Sequence, residues 1–457
     1  MNTRAWDRDA ARCVNFALVM TRLAGSPART PARWGAVAVL GARSAPKNTA
    51  HQPRGGAPWL VVCAVAMLAT SSAYAQQPQD GSTQPVASEA AVPQDRGDGF
   101  VDEAREWAEE TQIVGRITGE VEGWYPRLGG MTRGAGFALG PGYRWFVTDD
   151  MLVDVSAGIS FKGYKAADVE VRWLQAFDDR VELWTNYRFE DFSQEDFFGT
   201  GFDSSLDART SYDFDSSEIS AIGLVTPASW LETGVRVGYM SPEIGPGTDE
   251  NYPSIEELFT DGAAPGLATQ PNFLHTTFFA GIDSRDQGGR PRSGGLYEAS
   301  FGIWDDRTLQ QYDFRRFDAS ATHWLPLVPS KAHVLMGRLG VGYANNETGE
   351  RVPFYFLPYV GGVDTIRSFR EFRFKDENAI WMTAEYTWAP FEYVSLAAFV
   401  DAGKVNADWN DINLSGMKSG YGFGFRVHTD EMTFARFDFA TGGGDGWQAF
   451  IKLGPRF

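Results

Sequence analysis

An all-β fold, a transmembrane antiparallel β-barrel of about 16 strands with one long loop folded into its lumen, is what three features of the sequence predict. From about residue 115 onward, apolar and polar residues alternate with a period of two. The connections between the alternating segments are short and long by turns, as in membrane-spanning barrels. The 457-residue chain ends on a further alternating stretch closed by an aromatic, Phe457.

The N-terminal part stands outside that pattern. The stretch APWLVVCAVAMLATSSAYA, 57–75, follows Arg54 and ends in Ala73-Tyr74-Ala75, a small-x-small cleavage site. Its apolar run of about 14 residues is shorter than the roughly 20 needed for a spanning helix, which weighs against a membrane anchor. It reads as a secretory signal peptide cut before Gln76. Residues 1–53 are Arg-rich and too long for an ordinary leading segment, so they read as an extension from a start codon placed too far upstream.

Charge and cysteine usage narrow the function. Residues 1–75 hold nine of the 41 Lys/Arg and two of the 59 Asp/Glu, leaving 32 bases and 57 acids, a net of −25. That acidity argues against a nucleic-acid partner. Both cysteines, Cys13 and Cys63, precede the cleavage site, so the exported part needs no disulfide. Residues 76–98 are rich in Gln, Pro, Ser and Asp and read as a flexible linker. In FVDEAREWAEETQI, 100–113, Val101, Ala104, Trp107 and Ala108 share one helical face. That helix is either solvated, or a plug or periplasmic contact.

The strand segments lie near 115–125, 133–147, 151–162, 164–177, 180–192, 206–224, 229–242, 272–284, 294–305, 311–325, 332–344, 379–389, 393–404, 418–428, 432–441 and 447–457. In VELWTNYRF, Val181, Leu183, Thr185, Tyr187 and Phe189 oppose Glu182, Trp184, Asn186 and Arg188. In YGFGFRVH, Tyr421, Phe423, Phe425 and Val427 oppose Gly422, Gly424, Arg426 and His428. Short turns include TDD at 148–150, DD at 178–179, PASW at 227–230, PFEY at 390–393 and TDE at 429–431. A soluble β-protein would also alternate. The heavily aromatic apolar faces and the terminal aromatic favour the membrane barrel.

The connection before the twelfth strand, GGVDTIRSFREFRFKDENA at 361–379, carries four Lys/Arg, four acids and three phenylalanines. The strand after it puts Ile380, Met382, Ala384, Tyr386 and Trp388 on lipid and turns Glu385 inward; the next puts Val394, Leu396, Ala398 and Val400 on lipid and turns Asp401 inward. An acid facing hydrocarbon is costly, so this register is well specified. Two inward carboxylates call for a cation, and Arg367 is the candidate. Its tether reaches about 35–40 Å when extended, and Glu385 lies about 20 Å down its strand. A guanidinium fork suits paired carboxylates, and Gly361 and Gly362 permit the inward turn. An ordinary ion network in a polar lumen is the competing reading.

These stretches, GGVDTIRSFREFRF, NAIWMTAEYTW and VSLAAFVDAGKV, resemble the C-terminal half of the BamA/TamA family of outer-membrane assembly barrels, the bacterial surface antigen family. The likeness covers about 115–457 and is strongest over 355–405. It implies that the sixth extracellular loop tucks into a sixteen-stranded barrel with its tip held by acids of strands 12 and 13. Ile366, Arg367, Ser368 and Phe369 would then be the tip, Glu385 the first acid, and Asp401 with Gly403 the second site. FFGTG at 197–201 resembles a further family motif. Ser368 stands where the family usually has glycine; a tip needing φ > 0 there would cost serine about 1 kcal/mol or more. Family members usually carry periplasmic POTRA domains, whereas the roughly 40 residues after Gln76 read as linker, so the chain resembles the POTRA-less branch. Trp447, Ala449, Ile451, Leu453 and Phe457 share a face and resemble the C-terminal assembly signal of outer-membrane proteins.

The functional expectation is a barrel in the outer membrane of a Gram-negative bacterium, with its C-terminus periplasmic. It would assist insertion or translocation of proteins, or lipids, through a short seam between first and last strands, which Gly454 and Pro455 weaken. The alternative is a passive pore or structural barrel. Expected partners are outer-membrane lipid and lipopolysaccharide, unfolded client proteins and a periplasmic partner. No cofactor or metal is expected: the histidines after residue 75, His275, His323, His333 and His428, are scattered, and the acidic stretches at 248–251 and 409–413 read as solvated loops rather than Ca²⁺ sites. His275 beside Thr276 is read as structural, so no enzyme is expected. N-terminal sequencing of the protein from outer membranes should begin at Gln76; a start within 1–53 would overturn the signal-peptide reading.

Overall fold

The computed structural model describes residues 36–39, 121–129, 137–176, 180–346, 350–411, 413–430 and 432–453. The expected cleavage site at Ala73 and Ala75, the 100–113 helix and Phe457 lie outside them, as does the side chain of Leu453. By contacts the chain divides into 1–43 with 126–457, which holds the barrel, and 44–125, of which only 121–125 is described.

Sixteen strands form one antiparallel sheet. In chain order they are β1 Gly123–Gly129, β2 Ala138–Thr148, β3 Met151–Ser160, β4 Lys165–Ala176, β5 Val181–Phe197, β6 Thr210–Ala228, β7 Leu231–Pro246 and β8 Phe273–Asp283. They continue as β9 Gly294–Asp306, β10 Phe314–Pro326, β11 His333–Asn346, β12 Asn378–Trp388, β13 Val394–Asn406, β14 Lys418–His428, β15 Thr433–Thr441 and β16 Gln448–Leu453. Sequence neighbours pair throughout, and β16 lies beside β1 in the order of the sheet. Most connections at one end are short, as at 149–150 and 229–230, with 284–293 the longer exception; the longest, 247–272 and 347–377, lie at the other end, which also has the short 161–164.

Several boundaries differ from the sequence reading: the second strand starts at Ala138 rather than 133, β6 spans Thr210–Ala228 rather than 206–224, β7 runs to Pro246 rather than 242, and two further differences are larger or more telling. The first strand lies at Gly123–Gly129 rather than 115–125. Pro126 makes that stretch look like a turn, yet one missing donor is tolerated in a strand at the end of the chain's order. β5 runs on to Phe197, past the expected 192. It has 17 residues, β6 has 19 and β7 has 16. A tilted strand needs only about 9–11 residues to cross the hydrocarbon. The excess projects beyond it, where strict alternation is no longer demanded. A further strand, Ala36–Val39, pairs antiparallel with Phe450–Leu453 of β16. The sequence reading saw no pattern there, but Ala-Val-Ala-Val can complete an open edge by backbone bonds alone.

Alternation sorts the two faces. Ile219 of β6 is 60% exposed on the outside, while its neighbour Ser220 is 3% exposed on the inside. The interior has two zones. Toward the short-turn end it holds ion pairs, among them Arg144–Asp154 at 2.8 Å, Arg188–Asp168 at 2.6 Å and Arg236–Glu218 at 2.5 Å. Toward the long-loop end it is an aromatic core. Phe354, Tyr355 and Phe356 of the β11–β12 loop pack there with Phe197, Tyr212, Phe214, Phe273, Trp304 and Phe314 from strands. Phe356 is the hub: its ring lies 4.8 Å from Trp304 and 5.3 Å from both Phe273 and Phe314.

Truncating Phe356 to Ala removes this hub and should cost about 3–5 kcal/mol. Heat-modifiability on gels should show the folded form lost at a markedly lower temperature. Leu258→Ala, at an exposed position of the short helix Ile255–Leu258 between β7 and β8, should change stability by less than about 0.5 kcal/mol.

Candidate functional site: the loop lock

The β11–β12 loop enters the lumen through a glycine turn. Gly361 and Gly362 take φ of 116° and 97°. A side chain at Gly362 would also strike the Glu371 carboxylate, and that carboxylate accepts from Val363 N at 2.9 Å. Gly362 N donates to the carbonyls of Ile366 and Phe369, both at 3.1 Å, which curls 362–369 into a compact tip. A two-residue ladder, Tyr359–Val360 with Phe374–Lys375, closes the base of the tip.

That tip delivers Arg367 to the wall. Its Nε and Nη2 donate to Asp401 Oδ2 and Oδ1, each at 2.8 Å, and its backbone N donates to Oδ2 at 3.1 Å. Nη1 donates to Glu385 at 2.7 Å and to Asp438 at 3.3 Å. The guanidinium lies 3.3 Å from the centroid of Phe399, so its face meets a ring while its edge meets carboxylates. Thr383 donates to Asp401 Oδ1 at 2.8 Å. Arg367 is 2% exposed. Burial alone would lower its pKa; the hydrogen bonds and charge of Asp401, with Glu385 and Asp438, outweigh that and raise it.

The sequence reading paired Arg367 with two acids. The structure has three acids and two further arginines. Arg426 of β14 and Arg436 of β15 sit directly opposite each other, a repulsive pairing unless bridged. Glu385 and Asp438 bridge them. Arg426 reaches Glu385 at 2.9 Å and Asp438 at 2.7 Å, and Arg436 reaches Asp438 at 2.6 Å. Three guanidinium groups thus face three carboxylates across β12 to β15. The signal was present in the inward positions of FGFRVH and TFARFDF, where alternation turns Arg426, Arg436 and Asp438 to the lumen.

The other predicted tip residues also fall here. Ile366 is fully buried and packs on Gly403, where a Cβ would lie 3.0 Å from its Cδ1. Phe369 packs edge-on against Phe374 at 5.1 Å. At Ser368 the condition for strain is not met: among the described residues the non-glycine positive-φ positions are Gln310, Lys331 and Phe372, so Ser368 carries no left-handed strain. It fits because the wall is hollow opposite it. A Cβ on Gly420 would overlap Ser368 Oγ, and one on Gly443 would lie 2.7 Å from it. Gly422 makes the same room for Phe399. FFGTG meets the base of the loop, where Gly201 N donates to Lys375 O at 2.8 Å. Trp447 and Ile451 alternate with the buried Gln448 and Phe450 and so face away from the lumen. The acidic stretches serve local turns: Asp249 accepts from Asn251 N at 2.9 Å and Asp408 from Asn410 N at 2.8 Å.

Comparison with known proteins follows this geometry. The Omp85 superfamily domain matches residues 258–451, which include the whole lock. Among solved structures, BamA from Haemophilus ducreyi lacking POTRA domains 1–3 aligns with a TM-score of 0.55 at 14% identity, over 72% of this chain and 68% of that one. CdiB from Acinetobacter baumannii aligns with a TM-score of 0.42 at 14% identity, over 70% of this chain and 57% of that one. CdiB from Escherichia coli gives 0.45 at 12%, over 71% and 60%. The likeness to BamA, at this identity, is one of fold.

Arg367→Ala leaves Asp401 buried without its cation and should destabilise the barrel by about 3–5 kcal/mol. Ser368→Gly should cost far less, because the buried Ser368 hydroxyl has no hydrogen-bond partner. Thermal unfolding in detergent micelles compares the two; equal losses would contradict this account of the tip.

Proposed function

We propose that this β-barrel, whose residues 258–451 match the Omp85 superfamily domain, assists insertion or translocation of other proteins, or of lipids, at the outer membrane through the β1–β16 seam. The observation that carries the reading is the state of β16. Its described part is six residues long, Gln448–Leu453. Beyond its ladder to β15, residues Phe450–Leu453 take antiparallel pairing from Ala36–Val39, a segment outside the barrel that precedes the expected cleavage site, so in a protein cut before Gln76 this edge is open to another strand. An edge that accepts one external strand by backbone bonds is competent to accept another, because such pairing is largely independent of side-chain identity.

The rest of the reading follows. The short-turn end, where β16 finishes, is periplasmic, and client chains arrive there. The braced wall of β12 to β15 stays rigid while the seam opens. The aromatic core at the other end supports this over a passive pore. The barrel is not an enzyme in this reading. Each histidine of the barrel is held in a structural contact: His275 with Glu218 at 3.0 Å, His323 with Tyr297 at 2.8 Å, His333 with Tyr386 at 2.6 Å and His428 with Ser395 at 2.5 Å.

The test is depletion in the native host, with the outer-membrane proteome quantified. Complementation with wild type should restore a defined set of lost proteins; complementation with β1 and β16 joined by an engineered disulfide should not, until a reductant is added. An unchanged proteome on depletion, or full rescue by the joined barrel, would sink the proposal.

A further inference from the structure

One connection at the short-turn end reaches away from its own hairpin. Residues 284–293, between β8 and β9, close on themselves around Asp286. Its Oδ1 accepts from the backbone N of Arg292 at 2.9 Å and of Ser293 at 3.1 Å, and its own N donates to Ser293 O at 3.0 Å. Arg285 grips Asp283 through Nε at 2.9 Å and Nη2 at 2.6 Å. Lys331 of the β10–β11 turn, at a φ of 55°, donates to Asp286 Oδ2 at 2.8 Å and to Ser293 Oγ at 3.0 Å. The base of the connection is therefore fixed.

Its tip lands on the β14–β15 turn. Arg290 Nη1 donates to Thr429 O at 3.0 Å, and Thr433 N donates to Gly289 O at 3.2 Å. The hairpin is irregular here: Val427 faces Ala435 but His428 faces Thr433, which leaves Phe434 as an extra residue. The Arg290 side chain is 11% exposed, whereas Asp430, 3.6 Å away, is 79% exposed. So open an ion pair adds little; the two bonds through carbonyls make the contact. Thr429 O also accepts from His428 Nδ1 at 3.1 Å, which ties the seat to the wall.

Strand counting gives the path. β10 to β13 stand between β9 and β14. Five strand spacings are about 24 Å along the wall. The chain from Gly289 to Gly294, where β9 begins, spans about 17 Å at full extension. The tip therefore crosses the lumen side instead of following the wall. We propose that 284–293 is a strap across the mouth of the lumen that holds the arc from β9 to β14 at one width. The lock fixes β12 to β15 toward the long-loop end, and the strap fixes the same side of the barrel at the short-turn end. Movement of the wall is then left to β16 and β1 to β7. Arg290 is a positioning residue in this device. The inference rests on the seam reading only for its periplasmic orientation and for what the moving strands do.

Hydrogen exchange of the purified barrel in detergent micelles tests the strap without any assay of assembly. Arg290→Ala should speed exchange of the 432–436 amides about tenfold, as expected for loss of a charged donor, and leave β5–β7 unchanged. Arg290→Lys, which keeps a donor, should change it less. Replacing 287–291 by two glycines removes the tip altogether. Exchange should then rise also at the short-turn ends of β10 to β13, at 324–326, 333–335, 386–388 and 394–396. Unchanged exchange over 432–436 in Arg290→Ala, a rise spread evenly over the barrel, or a shortened strap that leaves β10 to β13 as they were would overturn the proposal. An unchanged proteome on depletion would overturn the seam function and leave these differences standing.

Discussion

A guanidinium taken out of water must be neutralised in place, and the architecture around Arg367 follows from that constraint. Burying an unpaired charge costs several kcal/mol or more. A loop ending in arginine stays in the lumen only if the wall presents carboxylates where it arrives. β12, β13 and β15 each present one, and the tip is curled by its own backbone bonds to meet Asp401 through three donors. The loop is thus held by a site that is satisfied in one position and costly in any other. That argues for specificity of placement more than for raw stability, since buried ion networks often add little net stability.

The wall is shaped to match. Glycines at 403, 420, 422 and 443 leave hollows for Ile366, Ser368, Phe399 and the Ser368–Phe369 tip. The hollows explain why a serine can stand at the tip without left-handed strain. Shape and charge come from the same few strands: β14 supplies Arg426 as well as Gly420 and Gly422.

Much of this was legible in the sequence, for a physical reason. Hydrocarbon outside and polar groups inside force a period of two, so inward and outward residues of β12 and β13 could be read directly, and with them Glu385 and Asp401. Residue counting placed Arg367 within reach. What the sequence hid was three-dimensional adjacency. Asp438 is 71 residues from Arg367, and nothing local says that β15 stands close enough to share its carboxylate. Arg426 and Arg436 were visible as inward cations, but their opposition depends on register. The sequence left open whether Ser368 takes a left-handed backbone; the positive φ among non-glycine residues of this loop falls at Phe372, beyond the tip. The end of β5 was missed where the strand leaves hydrocarbon and alternation stops carrying information.

The two-zone interior has a consequence for the cell envelope. Rings from β5, β6, β8, β9 and β10 meet those of the loop at one end. On the remaining side Val360, Phe369 and Phe374 pack with Ala379 of β12 and Val405 of β13. Rings packed in this way narrow the long-loop end of the lumen. A solute crossing there would have to displace them, so each copy of this barrel would add less to envelope leakiness than an open pore of the same strand number.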